Sequence, residues 1–239
     1  MGDALYVAGY DLSGDIGSLG AIGGGPAVQD VTGIDKSAFE RLGLVRDGRL
    51  EFVSFFNPAT DRAHPRLKLL PTTDVLISYL RGTALGGQAA SIAAKQANYD
   101  PNRGNDGSLT FAVQALANGY GLDWGRTLTA GKRTDSTATN GASVDHTDVT
   151  TAFGWQAFLH VFAFTGTSVT VTIQDSADDA AWANLTGGAF TAASGITSQR
   201  LEGGRTATVR RYLRAITSGT FSNAVFAVVF TRNLTAVAF

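Results

Sequence analysis

The run SVTVTIQDSADDAAW, residues 168–182, carries an alternating valine, isoleucine and threonine pattern into Asp175, Asp178 and Asp179. Three carboxylates so close together raise cation binding or acid–base chemistry as first readings. A calcium loop needs oxygen ligands at alternate positions and a bidentate glutamate closing it. Asp-Ser-Ala-Asp-Asp has neither. Aspartate and serine also bond backbone groups in turns, so the segment reads as a polar hairpin tip, with Trp182 packing on the returning strand.

Other residues with chemical potential are weighed the same way. GAIGGGP (20–26) has the glycine content of a phosphate loop, but a dinucleotide fingerprint needs a preceding strand, a following helix and a later acid. Here Pro26 and Val28 lead into another strand-like piece, which favours a flexible loop. His64, His146 and His160 are dispersed. His146, between Asp145 and Asp148, has the donors of a weak metal site, yet its polar surroundings favour a solvated imidazole; His160 lies in an apolar run and reads as packed. Arg205, Arg210, Arg211 and Arg214 read as ion-pairing or subunit-contact residues on an exposed sheet face. The chain has no cysteine, which removes disulfides and thiolate chemistry, and no G-x-S-x-G elbow. The reading is a non-enzyme with no catalytic residue, no metal and no cofactor.

The elements that must position these groups are mostly strands. In FGWQAFLHVFAF, Trp155, Ala157, Leu159 and Val161 fall on one face and Phe158, Phe162 and Phe164 on the other, the signature of a strand covered on both sides. In SVTVTIQ, Val169, Val171 and Ile173 point inward at strict period two. TVRRYLRAI and NAVFAVVF complete an antiparallel sandwich over 150–239. Earlier, Ala4–Tyr10, Leu50–Phe56, QAASIAAKQANY and SLTFAVQALA read as strands, and Ser37–Leu42 and Thr73–Gly82 as short helices, the second with Val75, Leu76, Tyr79 and Leu80 as its apolar stripe. Residues 129–151 are almost without apolar groups. The expected organisation is therefore a β domain over 1–130, a polar linker or long loop over 131–149, and a sandwich over 150–239.

Hydrophobic residues make up 44% and the net charge is −1, which supports a sizeable core and offers no basic field for a phosphate backbone. MGDALYVAGYDLSGD lacks a basic region followed by an apolar run, so no signal peptide is expected. No apolar stretch is long enough for a membrane helix.

GYDLSGDIGSL, then VQDVTGIDKSAFERLGLVRDGRLEFVSFFN, resembles the amino-terminal signature of major tail proteins of long-tailed bacteriophages of the actinobacterial-phage type. The matching residues are Asp11–Gly14, Asp30–Gly33, Ala38–Arg41 and Arg46–Phe56; GYGLDWGRTL (119–128), VTIQDSADDAAWANL and VRRYLRAITSGTFSNAVFAVVFTRN extend the likeness. The resemblance implies a mainly β, tail-tube-like sandwich or barrel with one or two short helices, and a carboxyl-terminal antiparallel sandwich on the tube exterior. It also implies a subunit that self-assembles into stacked, hexameric rings, with tape measure and tail terminator proteins as partners and phage DNA passing through the lumen. The location would be the virion tail, after synthesis in the host cytoplasm, with no membrane partner. Capsid decoration or a head fibre would use the same β modules, and a host-adhesion sandwich would bind carbohydrate through Trp182, Tyr212 or Trp155.

Ser13–Val28 is rich in glycine and poor in anchoring side chains. Ordering it costs roughly 1–2 kcal/mol per residue, so it is expected to be mobile in an isolated subunit. In an assembly it would act as a subunit-contact arm that buries Ile16, Leu19 and Ile22.

Overall fold

The computed structural model describes residues 2–147 and 149–237. Its first half runs β1 (Ala4–Val7), β2 (Tyr10–Asp11), β3 (Ile16–Asp30), β4 (Arg41–Phe55), the short helix α1 (Ala63–Leu67), β5 (Val75–Leu80), β6 (Gln88–Gln96), β7 (Asp100–Arg103), β8 (Leu109–Ala117) and β9 (Asp123–Thr127). The second half holds β10 (Arg133–Asp135), β11 (Val144–Asp145), β12 (Trp155–Ser176), β13 (Ala183–Ala189), β14 (Thr197–Gly203) and β15 (Tyr212–Arg232). The protein is mainly β, and its strand pairs are antiparallel.

One core lies among β1, β4, β5, β6 and β8, where Leu5, Leu50, Phe52, Ile77, Ile92 and Val113 pack with Leu67 of the helix. The other lies between the arms of β12 and β15, around Trp155, Val171, Leu213 and Phe230. A third cluster, with Tyr6, Leu80, Phe158 and Val229, joins them. The two-faced pattern read in FGWQAFLHVFAF is what places β12 there: Trp155, Ala157, Leu159 and Val161 fill the second core while Phe158 and Phe162 fill the joint. His160 is buried at this joint. Its Nδ1 accepts the Gly9 amide hydrogen at 3.3 Å and its Nε2 meets Ser78 Oγ at 3.0 Å.

β12 and β15 are each one long strand where the sequence suggests two. They pair from Trp155–Arg232 to Ser176–Tyr212, with register shifts near Gly166. Gly166 (φ 148°) and Gly219 (φ 120°) adopt backbone that side chains rarely enter, and a Cβ on either would collide with the opposite strand's backbone. The bend there is exposed, while both halves of each strand feed the same core.

Three expectations are corrected. Thr73–Gly82 contains a strand, β5, because its apolar residues are needed on two faces: Val75, Ile77 and Tyr79 enter the first core and Leu80 the joint. Pairing to β1 and β6 overrides the helical stripe. Ser37–Leu42 forms no helix; Val31 N donates to Glu40 O and Glu40 N donates to Thr32 Oγ, closing the end of a hairpin. A single helical turn does not repay its nucleation cost against that pairing. The glycine-rich segment is also a strand and not a loop: residues 16–30 form β3, paired along β4.

The helix that does form, α1, starts where the Asp15 carboxylate accepts Ala63 N at 3.0 Å and Asn57 Nδ2 at 2.7 Å. Residues 131–147 lie against the second half, with β10 and β11 paired to β15 and Val144 buried in its core.

Candidate assembly arm

β3 and β4 pair from Ile16–Ser54 to Asp30–Arg41. Each strand of this ribbon has 15 residues, which at about 3.3 Å per residue spans roughly 50 Å. Its root is fixed on one side by the core: Leu50 and Phe52 are buried, and Ile16, Leu19 and Ile22 pack against them half-buried. Arg46 grips it midway, donating to Leu122 O at 3.0 Å and to Asp123 Oδ1 at 3.3 Å. Burial pushes the Asp123 carboxyl above its usual range, against the pull of Arg46 and Arg200. Gly48 lets the ribbon lie flat here, since a Cβ would sit 2.7 Å from Leu122 N.

Beyond that grip the ribbon's apolar side chains have no cover among the described residues. Val28, Val31, Ile34, Phe39, Leu42, Leu44 and Val45 are all exposed, Val45 at 82%. Val28 stands opposite Gly43 and Gln29 opposite Leu42, so successive residues place apolar groups on both faces. The tip is held by an Asp30 turn that accepts Thr32 N at 2.9 Å, and by a Lys36–Glu40 pair at 3.4 Å. Among the described residues β3 pairs with β4 alone, which leaves its outer edge open. An open edge and a two-sided apolar surface are what a neighbouring chain would cover. Each apolar side chain of this size contributes about 1.5–3 kcal/mol when fully buried.

The residues first weighed for chemistry do not converge. Asp175 is buried in β12; its Oδ1 accepts Arg210 Nε and Nη2 at 3.0 and 2.7 Å, and its Oδ2 accepts Arg210 N at 2.9 Å. Asp178 caps the turn, accepting Ala180 N and Ala181 N at 3.0 and 2.8 Å, and these bonds hold its carboxyl down at about 2. Asp179 takes the positive φ of the tip. The segment is the hairpin tip the turn chemistry indicates. Arg211 pairs with Asp145 at 2.7 Å, and Arg214 donates to Gln174 Oε1 and lies over the Trp182 ring at 4.2 Å.

His64 meets Tyr99 OH at 3.2 Å within an aromatic group. His146 is buried rather than solvated, and burial with Arg232 and Arg126 nearby lowers its pKa to about 3. Asp148 lies outside the described residues. No cluster of three metal-ligating side chains occurs among the described residues. Trp155 is buried, stacked on Phe230 at 5.6 Å, and Arg211 lies 5.1 Å from the Tyr212 ring. Of the three aromatic residues weighed for sugar binding, Trp155 is closed off, and Trp182 and Tyr212, both half-buried, each have an arginine over one face. Sequence reading passed over Trp124, which is half exposed; its signal was the polar alternation of DWGRT.

No family model matches the chain, and no curated protein matches it. Among solved structures it is similar to a protein in the virion of a native gene transfer agent particle, at 14% identity and a TM-score of 0.40, over 50% of this chain and 94% of that one. It is also similar to the SPP1 Dit protein, described as a paradigm of hub adsorption apparatus in phages infecting Gram-positive hosts, at 12% identity and 0.34 over 97% and 100%. A protein of the phage p2 baseplate in its activated conformation matches at 10% identity and 0.33, over 99% and 100%. All three neighbours belong to virions or phage tails; overlaps this shallow leave function to the chain's own residues.

Proposed function

We propose that the chain is a virion structural protein, a tail-tube subunit that self-assembles into stacked rings around a channel for the genome. The observation that carries this is the distal arm, with its open β3 edge and apolar residues on both faces beyond the Arg46 grip. The sequence resemblance supplies the kind of assembly. Ile16, Leu19 and Ile22 set the arm's exit angle at its root, and the contact with the next copy extends outward through Val28, Leu42, Leu44 and Val45. Tape measure and terminator proteins would meet the ring ends, and DNA would pass without sequence-specific contacts.

Sedimentation over a wide concentration range, with negative-stain microscopy, tests this. Rings or tubes are expected from the full chain. Replacing residues 27–45 with a two-residue Asn-Gly turn, which keeps Pro26 opposite Arg46, is expected to leave a folded monomer that does not assemble. A full chain that stays monomeric throughout, or a shortened chain that assembles normally, overturns the proposal.

A further inference from the structure

The strand register brings a second set of residues together, away from the arm. Arg126 of β9 stands opposite Gln88 of β6 on one side and Phe230 of β15 on the other. Directly paired residues share a face, and so do residues two apart. Gln88, Trp124, Arg126, Phe230 and Arg232 therefore look the same way, and they line a pocket of about 210 Å³ together with His146. Phe230 forms its floor, with the His146 ring set edge-on at 6.2 Å.

The walls differ in kind. Trp124 is 50% exposed and offers an open indole face. Arg232 is held in place by the carbonyls of Val149 and Arg210, and Arg126 by the carbonyl of Asp145 at 2.9 Å. Among the described residues no carboxylate lines the pocket. His146 is only 7% exposed, and its Nε2 has no hydrogen-bond partner. Buried polar atoms are paired in the great majority of cases, so this nitrogen is an unsatisfied polar group in the pocket wall. Burial keeps the imidazole neutral at neutral pH, and a neutral ring nitrogen pairs with a hydroxyl in either direction.

One indole face with amide, guanidinium and imidazole tips around it matches a pyranose, which has an apolar C–H face and a rim of hydroxyls. The volume is below the usual range for drug-sized ligands and suits a single ring. We propose that the Trp124 pocket is a saccharide-binding site, with the sugar ring on Trp124 and its hydroxyls on Gln88 and Arg126. It does not depend on the tail-tube reading, because no arm residue lines it.

The test is titration of the full chain with a panel of neutral hexoses, N-acetylhexosamines and deoxyhexoses, with nucleoside monophosphates as a competing class. Trp155 is buried and Trp182 lies under Arg214, so Trp124 dominates any fluorescence change. At least one sugar is expected to give a saturable blue shift in the millimolar range. By saturation-transfer NMR, Trp124→Ala is expected to weaken that sugar at least about tenfold and Gln88→Ala several-fold, with circular dichroism unchanged in both. Saturation by no sugar in the panel, wild-type binding by Trp124→Ala, or tighter binding of a nucleotide than of every sugar overturns the proposal.

Discussion

The arm and the β12–β15 pair are built from the same kind of sequence and end in opposite situations. Both are long antiparallel ribbons with apolar residues on both faces. In β12 and β15 each face meets a partner, one the second core and the other the joint with the first half, and Phe158, Phe226 and Phe230 are fully buried. In β3 and β4 only the root meets a partner, and past Arg46 the same residue types face outward. Two-sided apolar patterning therefore specifies a ribbon that needs cover on both sides. Whether that cover comes from the same chain or another is decided by what lies beside it.

Substitutions separate the two ribbons most sharply. Phe230→Ala is expected to cost roughly 3–5 kcal/mol, because the ring is stacked on Trp155 and floors the second core. Denaturant midpoints report it directly, and a loss below about 1 kcal/mol would mean the second core is looser than drawn.

Per pH unit, a smaller effect follows from the buried histidines. His146 and His160 titrate near 3 when folded, chiefly because burial disfavours the charged ring, against about 6.5 unfolded. The unfolded chain thus binds more protons between these values. Stability is fully present above about pH 6.5 and falls as pH drops toward 3, by up to about 1.4 kcal/mol per pH unit for each histidine. In His160→Gln the slope of stability against pH between 6 and 4 should lose about one proton's worth; an unchanged slope would place that histidine in contact with water.

The smallest effect on stability is expected at the arm. Val45→Ser should change monomer stability by no more than about 0.5 kcal/mol, since the side chain touches little of its own body, while assembly measured by sedimentation weakens. A large loss of monomer stability would show that the arm is covered within one chain and would remove the contrast.

Much of the second ribbon was legible because period-two alternation survives in residues 155–161 and 169–173, and those residues do point inward. The break between them was read as a turn, where Gly166 and Gly219 instead bend one continuous pair. β5 was misread because a strand buried on both faces has no polar face, so VLISYL fits a helical stripe equally well. The arm's composition reads as loose chain: its glycines hide the pairing that β4 supplies, as between Gly25 and Asp47. α1 was missed since its start is stabilised by Asp15, far off in sequence. Trp124 escaped notice because its neighbours come from β6, β11 and β15, a grouping that exists only after folding.

β9 gives the molecule an order in time. It bonds to β6 on one side and to β15 on the other, and β15 leaves the ribosome about a hundred residues later. During synthesis, at about 5–20 residues per second, the first half can complete its own ladders while the far side of β9 waits. For those seconds the nascent chain carries a bare strand edge able to accept a strand from elsewhere. Tryptophan and glycine in DWGRT, with only five residues to pair, keep that exposure short in length until the last long strand arrives to close it.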